Sequence, residues 1–181
     1  MSSYVALLRG INVGGRNPVS MPALAECFQA AGYENVRTHL RTGNVLFEAA
    51  TRQSPQLEVA LDGLLSEAFA VPIPTVVRSR NELAATIASA PDGHDSPDLR
   101  SEVFFLKRPL TVEAAIQEVP ELREGVDSIA PGPDVLYFSR VAAQATRTRI
   151  TRFMSLPIFQ QMTVRSWRTT TRLLELLDAP A

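Results

Sequence analysis

Residues 4–8 (YVALL) form a nearly continuous apolar run without an acid, and the twelve residues after them (RGINVGGRNPVS) hold three Gly, two Asn and a Pro. This pair of segments constrains the fold more than any other stretch. An apolar run without alternation fits a strand buried on both faces. The Gly-rich dozen can extend it neither as strand nor as helix, so the strand must end in a loop. Ser20 is then placed to cap a helix, with Pro22 in its first turn, where a missing N–H costs little. Met21, Leu24, Phe28 and Ala31 give that helix its apolar stripe, and Gly32 its stop.

Strands are predicted over 36–40 and 45–47, around the short turn Thr42-Gly43-Asn44, in which Gly43 or Asn44 takes a positive φ. A second helix follows over 54–70, where Leu57, Leu61, Leu64 and Ala68 share one face. The strand expected at 73–77 lies beside Pro72 and Pro74, which assigns it to a sheet edge or an irregular start. Ser79-Arg80-Asn81-Glu82 has the capping-box spacing and leads into a short helix bearing Leu83 and Ile87. The order βαββαβ plus a helix predicts a split βαβ, or ferredoxin-like, unit.

Residues 90–101 concentrate Pro, Gly, Ser and Asp, which marks a linker. The expected organisation is an N-terminal ferredoxin-like subdomain over 1–90 with the Gly-rich loop, a linker over 91–101, and a C-terminal α+β subdomain over 102–181 ending in a helix. In the last, 103–106 and 135–138 read as strands, with a turn at Pro131-Gly132-Pro133 between them. Val112, Ala115, Ile116 and Val119 mark a short helix, Ile150, Phe153 and Met154 another, and Leu173, Leu174, Leu176 and Leu177 a terminal one. Weak βαβ character recurs, but no sequence period links the halves.

Composition removes whole classes of function. With 45% hydrophobic and 20% charged residues the chain of 181 is globular rather than disordered or fibrous. No apolar stretch reaches the roughly 18 residues that span a bilayer, and the N-terminus has no leader pattern, so the expected location is cytoplasmic, with no membrane partner. One cysteine, Cys27, allows no intrachain disulfide, and two distant histidines, His39 and His94, form no metal cluster. The net charge of −1 hides an asymmetry: from residue 140 to 172 there are seven Arg and no acid. Seventeen of the eighteen bases are Arg, a bias toward bidentate contacts with carboxylate or phosphate. Neutralisation of basic by acidic faces within the fold is the competing reading.

Two constellations stand out. The first, Gly10 to Asn17, has the spacing G-x-x-x-x-G-R-N directly after a strand. Arg16 replaces the phosphate-loop lysine and Asn17 the magnesium-binding hydroxyl, which removes nucleotide-hydrolase chemistry. Successive Gly N–H groups flanked by Arg9 and Arg16 still suit an anion; otherwise the glycines only permit positive φ. The second constellation, residues 162–171 (MTVRSWRTTT), sits before the terminal helix, with Thr169 or Thr170 as its cap and Arg165 and Arg168 near its N-terminus. Trp167 is there either a ligand contact or a core anchor. Neither stretch contains Asp, Glu, His or Cys, so no catalytic group is legible within them. His39 and Glu48 are available beside the hairpin, and Cys27 reads as an inert thiol.

The segments ALLRGINVGGRN (6–17), Met21, Leu24 and THLRTGNVLF (38–47) resemble a family known only as domain of unknown function sixteen ninety-seven, and TVRSWRTTTRLLEL (163–176) resembles its closing motif. Two departures appear there: Ser166 stands where the family has Asn, and Arg172 where it has Lys. An Asn that binds a ligand would leave this member weakened; a structural one would matter less. The resemblance implies a small bacterial α+β protein of two ferredoxin-like (split βαβ) subdomains with antiparallel or mixed sheets, and no established activity or cofactor. The candidate ligand set is Arg9, Asn12, Gly14, Gly15, Arg16, Asn17, Thr42, Gly43, Asn44, Arg165 and Trp167, for a small anion such as a nucleotide or phosphometabolite. Alternatives are single-stranded nucleic acid, with Trp167 or Tyr137 stacking on bases, and a protein-interaction module using the edge strand near Ile73.

Overall fold

The computed structural model describes residues 1–50 and 53–179. In chain order its elements are β1 (Ser2–Leu8), α1 (Met21–Ala30), β2 (Glu34–His39), β3 (Asn44–Ala49), α2 (Ser54–Phe69), β4 (Thr75–Ser79), α3 (Arg80–Ala88) and β5 (Leu99–Leu106). There follow α4 (Val112–Gln117), β6 (Asp127–Gly132), β7 (Val135–Val141), α5 (Ile150–Met154), β8 (Met162–Ser166) and α6 (Trp167–Asp178), with 3₁₀ turns at Ala142–Arg147 and Pro157–Gln161. The strands make two four-stranded sheets, ordered β2-β3-β1-β4 and β6-β7-β5-β8. Every pairing is antiparallel. The fold is therefore α+β with two ferredoxin-like halves, and of the two sheet types the sequence allows, the antiparallel one is observed.

The chain divides into two compact units, Met1–Leu83 with Leu173–Ala181, and Ala84–Arg172. It leaves the first unit within α3 and re-enters it within α6. Residues 180–181, the end of the expected C-terminal part, lie outside the described residues.

In the first unit Tyr4, Val5, Ala6, Leu7 and Leu8 are all at most 2% exposed, so β1 is buried on both faces as its unbroken apolar run requires. Tyr4, Ala6 and Leu8 join Leu24 and Phe28 of α1, Phe47 of β3 and Leu57, Leu61 and Leu65 of α2 in one core. The Phe47 ring stacks on Tyr4 at 5.6 Å and meets the edges of Phe28 and Tyr33; burying such a ring contributes about 3 kcal/mol. The Ser20 hydroxyl caps α1 by accepting from the Ala23 N–H, and Ser79 and Glu82 exchange the reciprocal bonds of the capping box at α3. β4 is an edge strand. It is tied to α2 by Glu58, which accepts from the Val77 N–H and from the buried Arg78 guanidinium, both at 3.0 Å.

The second unit repeats this plan. Val103, Phe104, Phe105 and Leu106 of β5 are buried, and Phe104 and Leu106 pack with Phe138, Phe153 and Phe159. Two of its strands are not expected from the sequence. β6 runs through Pro131 and Gly132, read as a turn; it is an edge strand, the place where a sheet accepts proline. Gly132 is required there by space, since a Cβ would stand 2.3 Å from the Tyr137 ring. β8 occupies the start of the Arg- and Thr-rich stretch 162–171, and its end repeats the end of β4. Val77-Arg78-Ser79 and Val164-Arg165-Ser166 hold equivalent register, Arg78 opposite Val5 and Arg165 opposite Val103.

Candidate functional site

The Gly-rich loop folds into a small hairpin of its own. Asn12 N–H donates to Asn17 O, Arg16 N–H to Val13 O, and Val13 and Arg16 form an antiparallel bridge. Gly14 and Gly15, at φ +59° and +73°, supply the two consecutive left-handed residues of a primed hairpin turn. A Cβ at either meets nothing within 4 Å, so dihedral freedom rather than space selects glycine there.

The Asn12 side chain clamps this hairpin to the β2–β3 turn. Its Nδ2 donates to Val19 O at 2.9 Å and to Arg41 O at 2.8 Å, and its Oδ1 accepts from the Val19 N–H at 2.8 Å. Asn17 Nδ2 donates to Gly10 O. Gly43 closes the contact from the other side, its carbonyl accepting from the Leu8 N–H at 2.8 Å. There the glycine is needed twice, for φ +88° and because a Cβ would lie 2.7 Å from Ile11 Cδ1 and 2.8 Å from Leu8 Cβ. Asn44 is fully buried and its Nδ2 donates to His39 O. It opens β3 with ordinary extended backbone, and the second left-handed position of the turn falls to Leu40, at φ +61°.

Nine of the predicted residues, Arg9, Asn12, Gly14, Gly15, Arg16, Asn17, Thr42, Gly43 and Asn44, thus share one end of the first unit, at the C-terminal end of β1. The amides of Asn12, Asn17 and Asn44 hold the loops in shape. Arg16 and Thr42 are exposed, Arg9 is half-buried, and burial lowers the Arg9 pKa. Arg41, absent from the sequence-derived set, is exposed and is brought beside the hairpin by the Asn12 bond. The signal for it was present, because 39–44 (HLRTGN), like 9–20, contains no acid.

Arg165 and Trp167 belong to the second unit. Arg165 is 7% exposed, donates to Thr163 Oγ1 and Val164 O, and has its pKa lowered to about 10 by burial. Trp167 is half-buried and meets His94 edge-on at 4.9 Å. The cap of α6 is Ser166, whose Oγ accepts from the Thr169 N–H at 3.1 Å, rather than Thr169 or Thr170; the helix begins two residues before the Thr run because Trp167 already has helical backbone. Ser and Asn cap equally well, so an Asn at 166, as in the closing motif this segment resembles, would fill the same structural role. Tyr137 is 1% exposed and donates to Thr86 O.

The second unit offers an internal comparison. Leu106 N–H donates to Asp134 O and Lys107 N–H to Gln161 O, just as Leu8 donates to Gly43 O and Arg9 to Pro74 O. At this corresponding end Arg108 is paired with Asp134 at 2.6 Å, and only five residues separate β5 from α4, against twelve between β1 and α1. The longer loop holds the Gly-Gly hairpin, and the first unit's turn carries Arg41-Thr42-Gly43 with no acid.

Among the described residues no group of three or more His, Cys, Asp or Glu is gathered to hold a metal ion, and no helix is long and apolar enough to cross a membrane. Burial raises the Cys27 pKa, which keeps the thiol protonated. At the loop end the exposed charged side chains are those of Arg16 and Arg41.

A family model described as "Protein of unknown function (DUF1697)" matches residues 1–137. The match ends before the closing segment 163–176. The solved structure of conserved bacterial protein SP0830 from Streptococcus pneumoniae is similar in fold, with a TM-score of 0.82 and 23% identity over 97% of this chain and 98% of that one. Among curated proteins nothing matches.

Proposed function

The chain belongs to the DUF1697 family, proteins of unknown function, and from there we propose that the loop end of its first unit binds a small anionic ligand of the nucleotide or phosphometabolite class. The observation that carries this reading is the contrast between the two units. The second unit neutralises its loop arginine with an aspartate from the neighbouring turn. The first unit has two exposed arginines, Arg16 and Arg41, on two acid-free segments locked together by Asn12. A preformed frame lowers the entropy lost on binding, and guanidinium groups suit phosphate and carboxylate. Nucleotides and phosphometabolites are cytoplasmic solutes, and the reading takes the protein to act there.

The test is thermal unfolding with phosphate, pyrophosphate, nucleotides and sugar phosphates, on wild type and on Arg16→Ala and Arg41→Ala. A ligand at 100 times its Kd adds about 2.7 kcal/mol, or roughly 5 to 10 °C for a chain of this size. The expected result is a shift in wild type, with about tenfold weaker binding in each variant. No shift with any small anion, in variants that melt like wild type, overturns the reading. Salt-dependent capture of single-stranded RNA in that case would favour a nucleic-acid partner.

A further inference from the structure

We infer that the anion taken at this loop end is amphiphilic, a phosphate or carboxylate head on a short aliphatic or aryl body, free in solution. The inference rests on the reading above and names its ligand more closely.

Few large apolar side chains are exposed among the described residues, and two of them, Val13 at 59% and Leu40 at 53%, stand on the two segments that Asn12 joins. Val13 is the bridge partner of Arg16, and Leu40 immediately precedes Arg41. Val13 and Arg16 are thus cross-strand neighbours, and Leu40 and Arg41 neighbours along the chain.

Leu40 is disfavoured twice over where it stands. Its φ of +61° is a region in which Gly, Asn or Asp is at home and a bulky side chain is strained, and its side chain meets water rather than the core. Val13 lies at the base of a hairpin turn whose tip is all glycine, so nothing in the loop's own packing calls for an apolar residue there. Local strain with exposed apolar surface beside charge is the pattern of a site shaped for a partner rather than for folding. A head group held by Arg16 and Arg41 would lay its body across Val13 and Leu40. Two side chains are too little apolar surface to hold a protein on a bilayer, where even one myristoyl chain binds only marginally, but they match the size of a small solute.

The experiment compares inorganic phosphate with hexyl phosphate, below its micelle concentration, by titration calorimetry on wild type and on Val13→Ser/Leu40→Asn. The double variant keeps every arginine, and asparagine accepts the left-handed backbone at 40, so it is expected to melt no lower than wild type. Hexyl phosphate should bind wild type about tenfold more tightly than phosphate, which covering two methylenes is enough to give. In the double variant the two affinities should converge. Equal affinities in wild type overturn this inference and leave the anion site standing. Binding of neither overturns this inference, and the anion site falls with it when the nucleotides and sugar phosphates of the thermal panel also leave the protein unshifted. Retention on vesicles of anionic lipid, with no binding of soluble hexyl phosphate, replaces the free solute by a membrane surface and also overturns it.

Discussion

Replacing Asn12 with alanine removes three hydrogen bonds and leaves at φ +54° a residue without the polar side chain that eases left-handed backbone. The two bonds to Val19 are partly buried and the one to Arg41 O is exposed. Buried bonds contribute about 1 kcal/mol each net, and water replaces much of the exposed one, so their loss amounts to about 2 kcal/mol. Alanine in left-handed backbone adds about 1 kcal/mol that asparagine largely avoids. The expected destabilisation is then about 3 kcal/mol for Asn12→Ala and about 2 kcal/mol for Asn12→Gly, which keeps the dihedral and loses only the bonds. Urea unfolding of the three proteins, read from midpoints at constant slope, measures both steps. Two outcomes would refute the reasoning: Asn12→Gly as stable as wild type, which means the clamp holds nothing, or Ala and Gly variants of equal stability, which means the backbone at 12 is unstrained.

Two further predictions concern the second unit. His94 is 5% exposed, lies edge-on to Tyr137 and Trp167, and has no partner at Nε2; burial lowers its pKa more than the Glu102 carbonyl and Asp95 raise it. The unfolded chain, titrating near 6.5, then takes up its proton first, so stability falls as pH drops below about 6.5; urea midpoints at pH 7.5 and 5.5 should show a loss that is smaller in His94→Gln, and an equal loss in both refutes it. Ser166→Ala should destabilise by about 1 kcal/mol through the lost cap while Ser166→Asn stays within a few tenths of wild type, as followed by calorimetry; a gain of anion affinity in Ser166→Asn would instead refute a purely structural role for this position.

Local chemistry made the first unit legible. Ser20, Ser79, Glu82, Gly32 and Gly43 act through their immediate neighbours, and each marks an element boundary in sequence as in structure. β6 was hidden because Pro131 and Gly132 are turn residues unless a partner strand is known, and that partner, β7, pairs with it in a register no local pattern encodes. β8 was hidden because Arg165, which looks like a surface cation, is buried, with Thr163 Oγ1 and Val164 O as acceptors. The repeated topology has one plain counterpart in sequence, Val-Arg-Ser at the end of β4 and β8, too short to stand out as a period. At the candidate site the glycines and flanking arginines could be read directly. The contribution of Arg41 needed the Asn12 bond across 29 positions, a tertiary contact.

The first unit is discontinuous, interrupted after Leu83 and resumed at Leu173. Its returning segment is bound in place: Arg37 donates to Leu176 O at 2.8 Å, and Arg80 forms a two-bond ion pair with Asp178. During synthesis the ribosome therefore releases every residue of the second unit before the last part of the first, and the half bearing the candidate site is the half that closes last. A fragment ending at 83 would be missing one of its own walls, whereas joining 173 onward directly behind 83 would turn the first unit into a continuous chain.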